Sequence, residues 1–285
     1  MRVYVSADME GTAGVSGWAE THPGDRAYPR AQALMVGEVN AALAGAFAGG
    51  ATEIGINDSH NGMRNLSLVE LPEGVQLLNG SPKRYSMVEG AEPAPVSQGE
   101  GSTKRNRWDV ALFTGYHAAA GRSGNLAHTF TLHLREVRLN GDLVSETFWN
   151  AHLLGQWGIP VGLVTGDDVL EEDVRRLIPD AVYVRVKEAV GHTAALSLPV
   201  SEVRARIQDG AREAVQRAAR GALSLLRIVG PYELEVEFDA PTRAERASLC
   251  PRAELGVGDR VRYEATTLDE AFFAFRTIIS LGTAD

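Results

Sequence analysis

The stretch YVSADMEGTAG, Tyr4–Gly14, runs from an apolar strand into two carboxylates and then into glycine. With Arg2 and Val3 before it, the first half reads as a β-strand, RVYVSA, ending where polar residues begin. Next, YPRAQALMVGEVNAALAGAFAGG spaces Leu34, Val39, Leu43 and Phe47 as a helix does, with Gly49-Gly50 as its stop. TEIGIND, WDVALFTGY and IPVGLVTGDD are three more short apolar runs. Strands alternating with helical patterns predict an α/β fold with a largely parallel sheet and crossover helices. Between the third and fourth runs, EVRLNGDLVSE carries Asn140-Gly141, a strong hairpin signal, so an antiparallel hairpin is expected as an insertion. NAHLLGQWG then reads as the helix leading into the fourth strand.

From about Val169 the pattern changes. VLEEDVRRLI, AVYVRVKEAV, a long helix from Ser201 to about Arg220, YELEVEFD, RVRYEAT and LDEAFFAFRTIISL alternate helix and strand. The expectation is a metal-binding α/β domain over 1–168 and a smaller α+β domain over 169–285. PAPVSQGEGSTKRNR, rich in Pro, Gly and Ser, reads as a mobile surface loop.

A net charge of −9 argues against nucleic acid as a partner, because phosphate binding wants a basic surface. The single cysteine, Cys250, rules out an internal disulfide and a thiolate metal cluster, so any metal is held by His, Asp and Glu. The N-terminal apolar run is too short for a signal-peptide core, and no uninterrupted apolar stretch reaches the roughly 20 residues of a membrane span. A cytoplasmic location and no membrane partner are expected.

In a strand, residues two apart share a face, so Asp8 and Glu10 point the same way if extended geometry continues to Glu10. His60 in INDSHNG and His117 in FTGYHAAAG stand just past the second and third strands. Ligands of open α/β sheets bind beyond the carboxyl ends of the strands. Asp8, Glu10, His60 and His117 therefore share one rim, and the hairpin adds Glu146. Each alone is more often an ordinary surface or turn residue; their co-location makes the case. Two like carboxylates repel unless a positive charge lies between them, and no Lys or Arg occurs from Val3 to His22. A divalent cation would supply it. Two histidines and three carboxylates exceed the four ligands of one tetrahedral zinc, but suit two metals sharing a bridging carboxylate. Such a pair lowers the pKa of a bound water and polarises a carbonyl, which is hydrolase chemistry. Asp58 and Asn61 either orient His60 or make its turn. Asp167 and Asp168 either line the crevice or cap the next helix.

VSADMEGT also resembles the phosphatase signature of the haloacid-dehalogenase superfamily, with Asp8 as nucleophile, and VTGDDVLEED resembles its magnesium-binding segment. Against that stand Glu10 in place of the second Asp and the loop-like setting of Lys83 and Lys104. His60, His117 and His128 also stay unexplained.

SADMEGTAGV, INDSHNGMRNL, FTGYHAAAG, AHTF and SETFWNAHLLGQWGIPVGLVTGDD together resemble the D-aminopeptidase family of zinc peptidases. The similarity runs from Val3 to about Ala195 and fades in the C-terminal third. Carried over residue by residue, it implies Asp8 bridging two zinc ions per subunit, Glu10 and His60 completing one site, and His117 and Glu146 the other. His128 matches a histidine beside the metals that does not ligate them, which makes it the catalytic candidate. The resemblance further implies removal of N-terminal D-amino acids from short peptides and a homo-oligomeric ring of ten subunits. His and carboxylate ligands suit zinc, with manganese or cobalt as substitutes. A non-catalytic, zinc-holding ring assembly is the third reading.

Overall fold

The computed structural model describes residues 1–93 and 107–284; residues 94–106 of the expected surface loop lie outside them. In chain order the elements are β1 (Arg2–Ala7), α1 (Trp18–Thr21), α2 (Tyr28–Ala48), β2 (Glu53–Asp58), β3 (Val75–Leu78), β4 (Val110–Thr114), β5 (Leu134–Leu139), β6 (Asp142–Leu143) and α3 (Glu146–Gln156). They continue with β7 (Val161–Asp167), α4 (Asp168–Leu177), β8 (Val182–Gly191), β9 (Ala194–Ser197), α5 (Val200–Ala219), β10 (Tyr232–Phe238), α6 (Pro241–Ala247), β11 (Glu254–Leu255), β12 (Arg260–Ala265) and α7 (Leu268–Gly282).

The chain divides into two compact units, each assembled from non-contiguous stretches. The first comprises residues 1–117, 124–126 and 150–226, the second 118–123, 127–149 and 227–285. The single cut expected near residue 168 is corrected accordingly. Helix α4 returns the chain so that β8 pairs parallel to β7, with Val164 opposite Tyr183, and 169–226 continue the first sheet.

In the first unit the described strands form one sheet in the order β3-β2-β1-β4-β7-β8-β9. All neighbours run parallel except the edge strand β9, which is antiparallel to β8. Its central strands are buried on both faces, as the adjacent pairs Val3 and Tyr4, Leu112 and Phe113, and Leu163 and Val164 show. That is why they read as continuous apolar runs instead of alternating ones. Helices α2 and α5 pack on each other. The buried stripe of α2 is Ala31, Met35, Val39, Leu43 and Ala46, while the expected Leu34 is only half-buried and Phe47 is exposed. By length and composition α2 could cross a membrane, a feature its interrupted apolar pattern had hidden. With 56% of the qualifying window buried, its apolar residues are engaged within the unit.

The second unit holds the antiparallel sheet, ordered β11-β12-β10-β5-β6 among the described strands. The β5–β6 hairpin turns at Asn140 and Gly141, with φ of 53° and 84°, the left-handed pair a two-residue turn needs. Along β10, Leu234, Val236 and Phe238 face inward. Outward-facing Glu235 and Glu237 pair with Arg262 at 2.6 Å and Arg260 at 2.8 Å. Helix α7 covers the inner face through Phe272, Phe275 and Ile278.

Candidate metal centre

Strand β1 ends at Ala7, and the chain bends instead of continuing extended to Glu10. Asp8 N–H still donates to Thr114 O at 2.9 Å, but Thr12 N–H turns back to Met9 O at 3.0 Å. The bend presses the chain onto the end of β4. A Cβ on Gly11 would lie 1.8 Å from Tyr116 O, and one on Gly115, whose φ is +69°, would lie 2.2 Å from Asp8 O. Only glycine fits either place.

Four expected residues meet in the first unit. His60 Nδ1 lies 3.0 Å from Glu10 Oε2 and 3.4 Å from Asp8 Oδ1. His117 Nε2 lies 3.4 Å from Asp8 Oδ2. The two oxygens of Asp8 therefore face two different imidazoles. All four side chains are buried. Burial opposes a charged His60, but the negative charges of Glu10 and Asp8 outweigh it and raise its pKa well above the ordinary value.

The hydrogen bond behind His60 decides what its front can do. Nε2 sits 2.7 Å from the carbonyl of Thr21, which can only accept, so Nε2 carries a proton. In the neutral ring Nδ1 then turns a lone pair toward two carboxylates. That arrangement repels unless a cation, proton or metal, lies between them. Ligand atoms of Asp8, Glu10 and His60 all lie within 4.8 Å of one another, so this donor set fits a divalent ion.

Supports for this loop come from far along the chain. Lys187 on β8, 1% exposed, donates from Nζ to Glu10 O at 2.5 Å and to Val15 O at 2.7 Å. Positive charge, absent from Val3 to His22 in sequence, is thus delivered by the fold, though to carbonyls and not to the carboxylates. Burial lowers its pKa to about 8, against the pull of Asp167, Glu38 and Glu10. Glu38 on α2 accepts Ala13 N–H at 2.8 Å, and burial raises its carboxyl to about 8. Neither residue carried a motif: a lysine in a strand and a glutamate in a helix read as solvated.

Asp58 accepts the N–H groups of Asn65 at 2.5 Å and Leu66 at 2.7 Å, and Asn65 Nδ2 in turn donates to His60 O at 2.8 Å. Asp58 thus shapes the backbone that carries His60, and Asn61, with φ of 49°, makes the turn. Asp167 caps α4, accepting Leu170 N–H at 2.9 Å, and Asp168 accepts Ala189 N–H at 2.8 Å. The capping reading therefore describes Asp167.

His128 and Glu146 belong to the second unit. Glu146 is not a hairpin residue: β6 is two residues long, and Glu146 opens α3 just after Ser145, whose Oγ accepts Phe148 N–H. A carboxylate in a first helical turn is stabilised by the helix dipole. Glu146 Oε1 accepts Phe130 N–H at 2.5 Å and stands 3.7 Å from His128 Nε2.

A model of the D-aminopeptidase family matches residues 1–277. The chain belongs to the D-aminopeptidase family. The likeness extends well past Ala195, where the recognisable motifs end. A D-aminopeptidase of Bacillus subtilis (strain 168) is 31% identical over 282 residues, 99% of this chain and 97% of the relative. The solved structure described as the Zn-dependent D-aminopeptidase DppA from Bacillus subtilis, a self-compartmentalizing protease, superposes with a TM-score of 0.89. It is 30% identical, over 100% of this chain and 99% of that one. This member of the D-aminopeptidase family is an enzyme of the metallopeptidase class. The phosphatase and non-catalytic alternatives find no support in these relatives.

Proposed function

We propose that the protein is a zinc-dependent aminopeptidase that removes the N-terminal residue, a D-amino acid, from short peptides at a two-metal site. Asp8 would be shared by the two ions, Glu10 and His60 would hold one of them, and His117 and Glu146 the other. The observation that carries this reading is the divided aim of Asp8, one oxygen toward His60 and the other toward His117. When bound, zinc supplies a water of lowered pKa and a polarised scissile carbonyl.

The residues themselves do the rest. Thr21 O holds His60 in the tautomer that offers Nδ1 to the ion. Burial of Asp8, Glu10, His60 and His117 keeps bulk water from competing and strengthens every charge interaction among them. His128, with Nε2 toward Glu146, moves a proton at that atom to or from the substrate, a task suited to an imidazole near neutral pH. The description of the solved relative as self-compartmentalizing supports a homo-oligomer, and we assign a ring of ten.

Metal content and turnover measured together test the reading. The purified protein should carry close to two zinc ions per chain, with Asp8→Asn losing metal and activity. His128→Ala should keep the metal and lose about 10²-fold or more in kcat on D-alanyl peptides. One zinc per chain, or full activity in His128→Ala, contradicts the assignment, and side-by-side D-Ala and L-Ala peptides settle the handedness.

A further inference from the structure

Helix α7 carries a guanidinium that the packing of its unit does not explain. Arg276 is largely shielded from solvent, and its Nη1 is buried with no hydrogen-bond partner among the described residues. Its guanidinium lies over the ring of Phe130, 5.6 Å from the centroid. Burying an arginine fork without an anion is costly, so natural folds pair such groups. Burial pulls the guanidinium's pKa below its ordinary value, and the negative charge of Glu146 opposes this only in part, through space.

Phe130 connects the two. Its N–H holds Glu146 Oε1 at 2.5 Å, and its ring packs edge-on against Phe275 of α7, centroids 5.3 Å apart. The backbone of Phe130 is left-handed, with φ of 60°, a conformation a bulky residue adopts only under constraint. The strained residue thus fixes both the carboxylate of Glu146 and the platform beneath the arginine. The guanidinium, the ring, Glu146 and His128 form one neighbourhood in the second unit.

We propose that Arg276 is a substrate-binding residue that takes the C-terminal carboxylate of a short peptide, with Phe130 as its platform. The inference rests on the peptidase reading and on Glu146 belonging to that site. A short peptide with a free amine at the scissile end has one obligatory anion, its C-terminal carboxylate. The planar fork of arginine matches a carboxylate in two parallel hydrogen bonds, and stacking on an aromatic face holds it ready for them. Such a contact favours short substrates, because a longer chain carries its carboxylate out of reach at about 3.3–3.6 Å per residue.

The experiment compares D-Ala-D-Ala with its C-terminal amide on the full-length, zinc-loaded protein. Wild type should prefer the free acid by about tenfold or more in kcat/KM. In Arg276→Met that acid-to-amide ratio should fall by about 10- to 100-fold, mainly through a higher KM for the acid. Arg276→Lys, which keeps the charge and loses the fork, should fall between. A merely structural role would depress both substrates equally and leave the ratio unmoved, which would overturn the proposal. So would a wild-type ratio near one, a result that needs no variant to fold. Hydrolysis of neither substrate by wild type would instead refute the peptidase reading, and this inference with it.

Discussion

Glu38→Gln isolates one charge beneath the loop that carries Glu10. The glutamine keeps the side-chain oxygen that accepts Ala13 N–H, so the change removes ionisation and little else. Glu38 is buried, and its carboxyl holds a proton up to about 8, against 4.5 ordinarily. Between those values the native state binds one proton more than the unfolded chain. Wild-type stability therefore falls as pH rises, by about 1.4 kcal/mol per pH unit. From pH 5.5 to 7.5 the wild type should lose about 2.7 kcal/mol relative to the variant. Lys187, at about 8, stays protonated in both states over most of that window and adds little slope. Urea unfolding of both proteins at pH 5.5, 6.5 and 7.5 under saturating zinc measures it, since the metal-linked pH dependence is common to the pair and cancels. A stability difference constant to within about 0.5 kcal/mol across the window would refute the reasoning.

Lys187→Met strips the donor from two buried carbonyls, at about 1–3 kcal/mol each, but also removes a buried ammonium whose pKa shift from 10.5 to about 8 corresponds to about 3 kcal/mol. The two effects largely offset in unfolding experiments, whereas chelator competition should show zinc held about tenfold or more weakly, because the backbone of Glu10 is no longer clamped. Gly11→Ala places a methyl 1.8 Å from a carbonyl oxygen; it should cost more than about 3 kcal/mol in denaturant unfolding and abolish zinc retention on gel filtration.

The strands that lead into Asp8, His60 and His117 are legible because central parallel strands are apolar on both faces and break off abruptly into polar residues. RVYVSA is β1 without adjustment, and His60 and His117 follow β2 and β4 as their spacing suggested. The partner of a strand is a different matter. AVYVRVKEAV announces a strand, but nothing in its composition says that it joins β7 and not a separate sheet. Asn140-Gly141 marks the turn so clearly that it draws Glu146 into the hairpin, whereas Ser-Glu-Thr-Phe directly after Val144 is a helix-opening signal and Glu146 begins α3. Lys187 and Thr21 act on backbone and ring atoms of residues 177 and 39 positions away, and no local pattern records contacts of that separation.

That separation orders events during synthesis. Asp8 and Glu10 leave the ribosome well before the lysine that braces their loop, which follows Glu10 by 177 residues. On the proposed metal reading, an ion met early would find those two carboxylates on a slack tether until β8 docks. The proposed site would then gain its brace only when the sheet is complete, and a chain cut before β8 should retain zinc poorly.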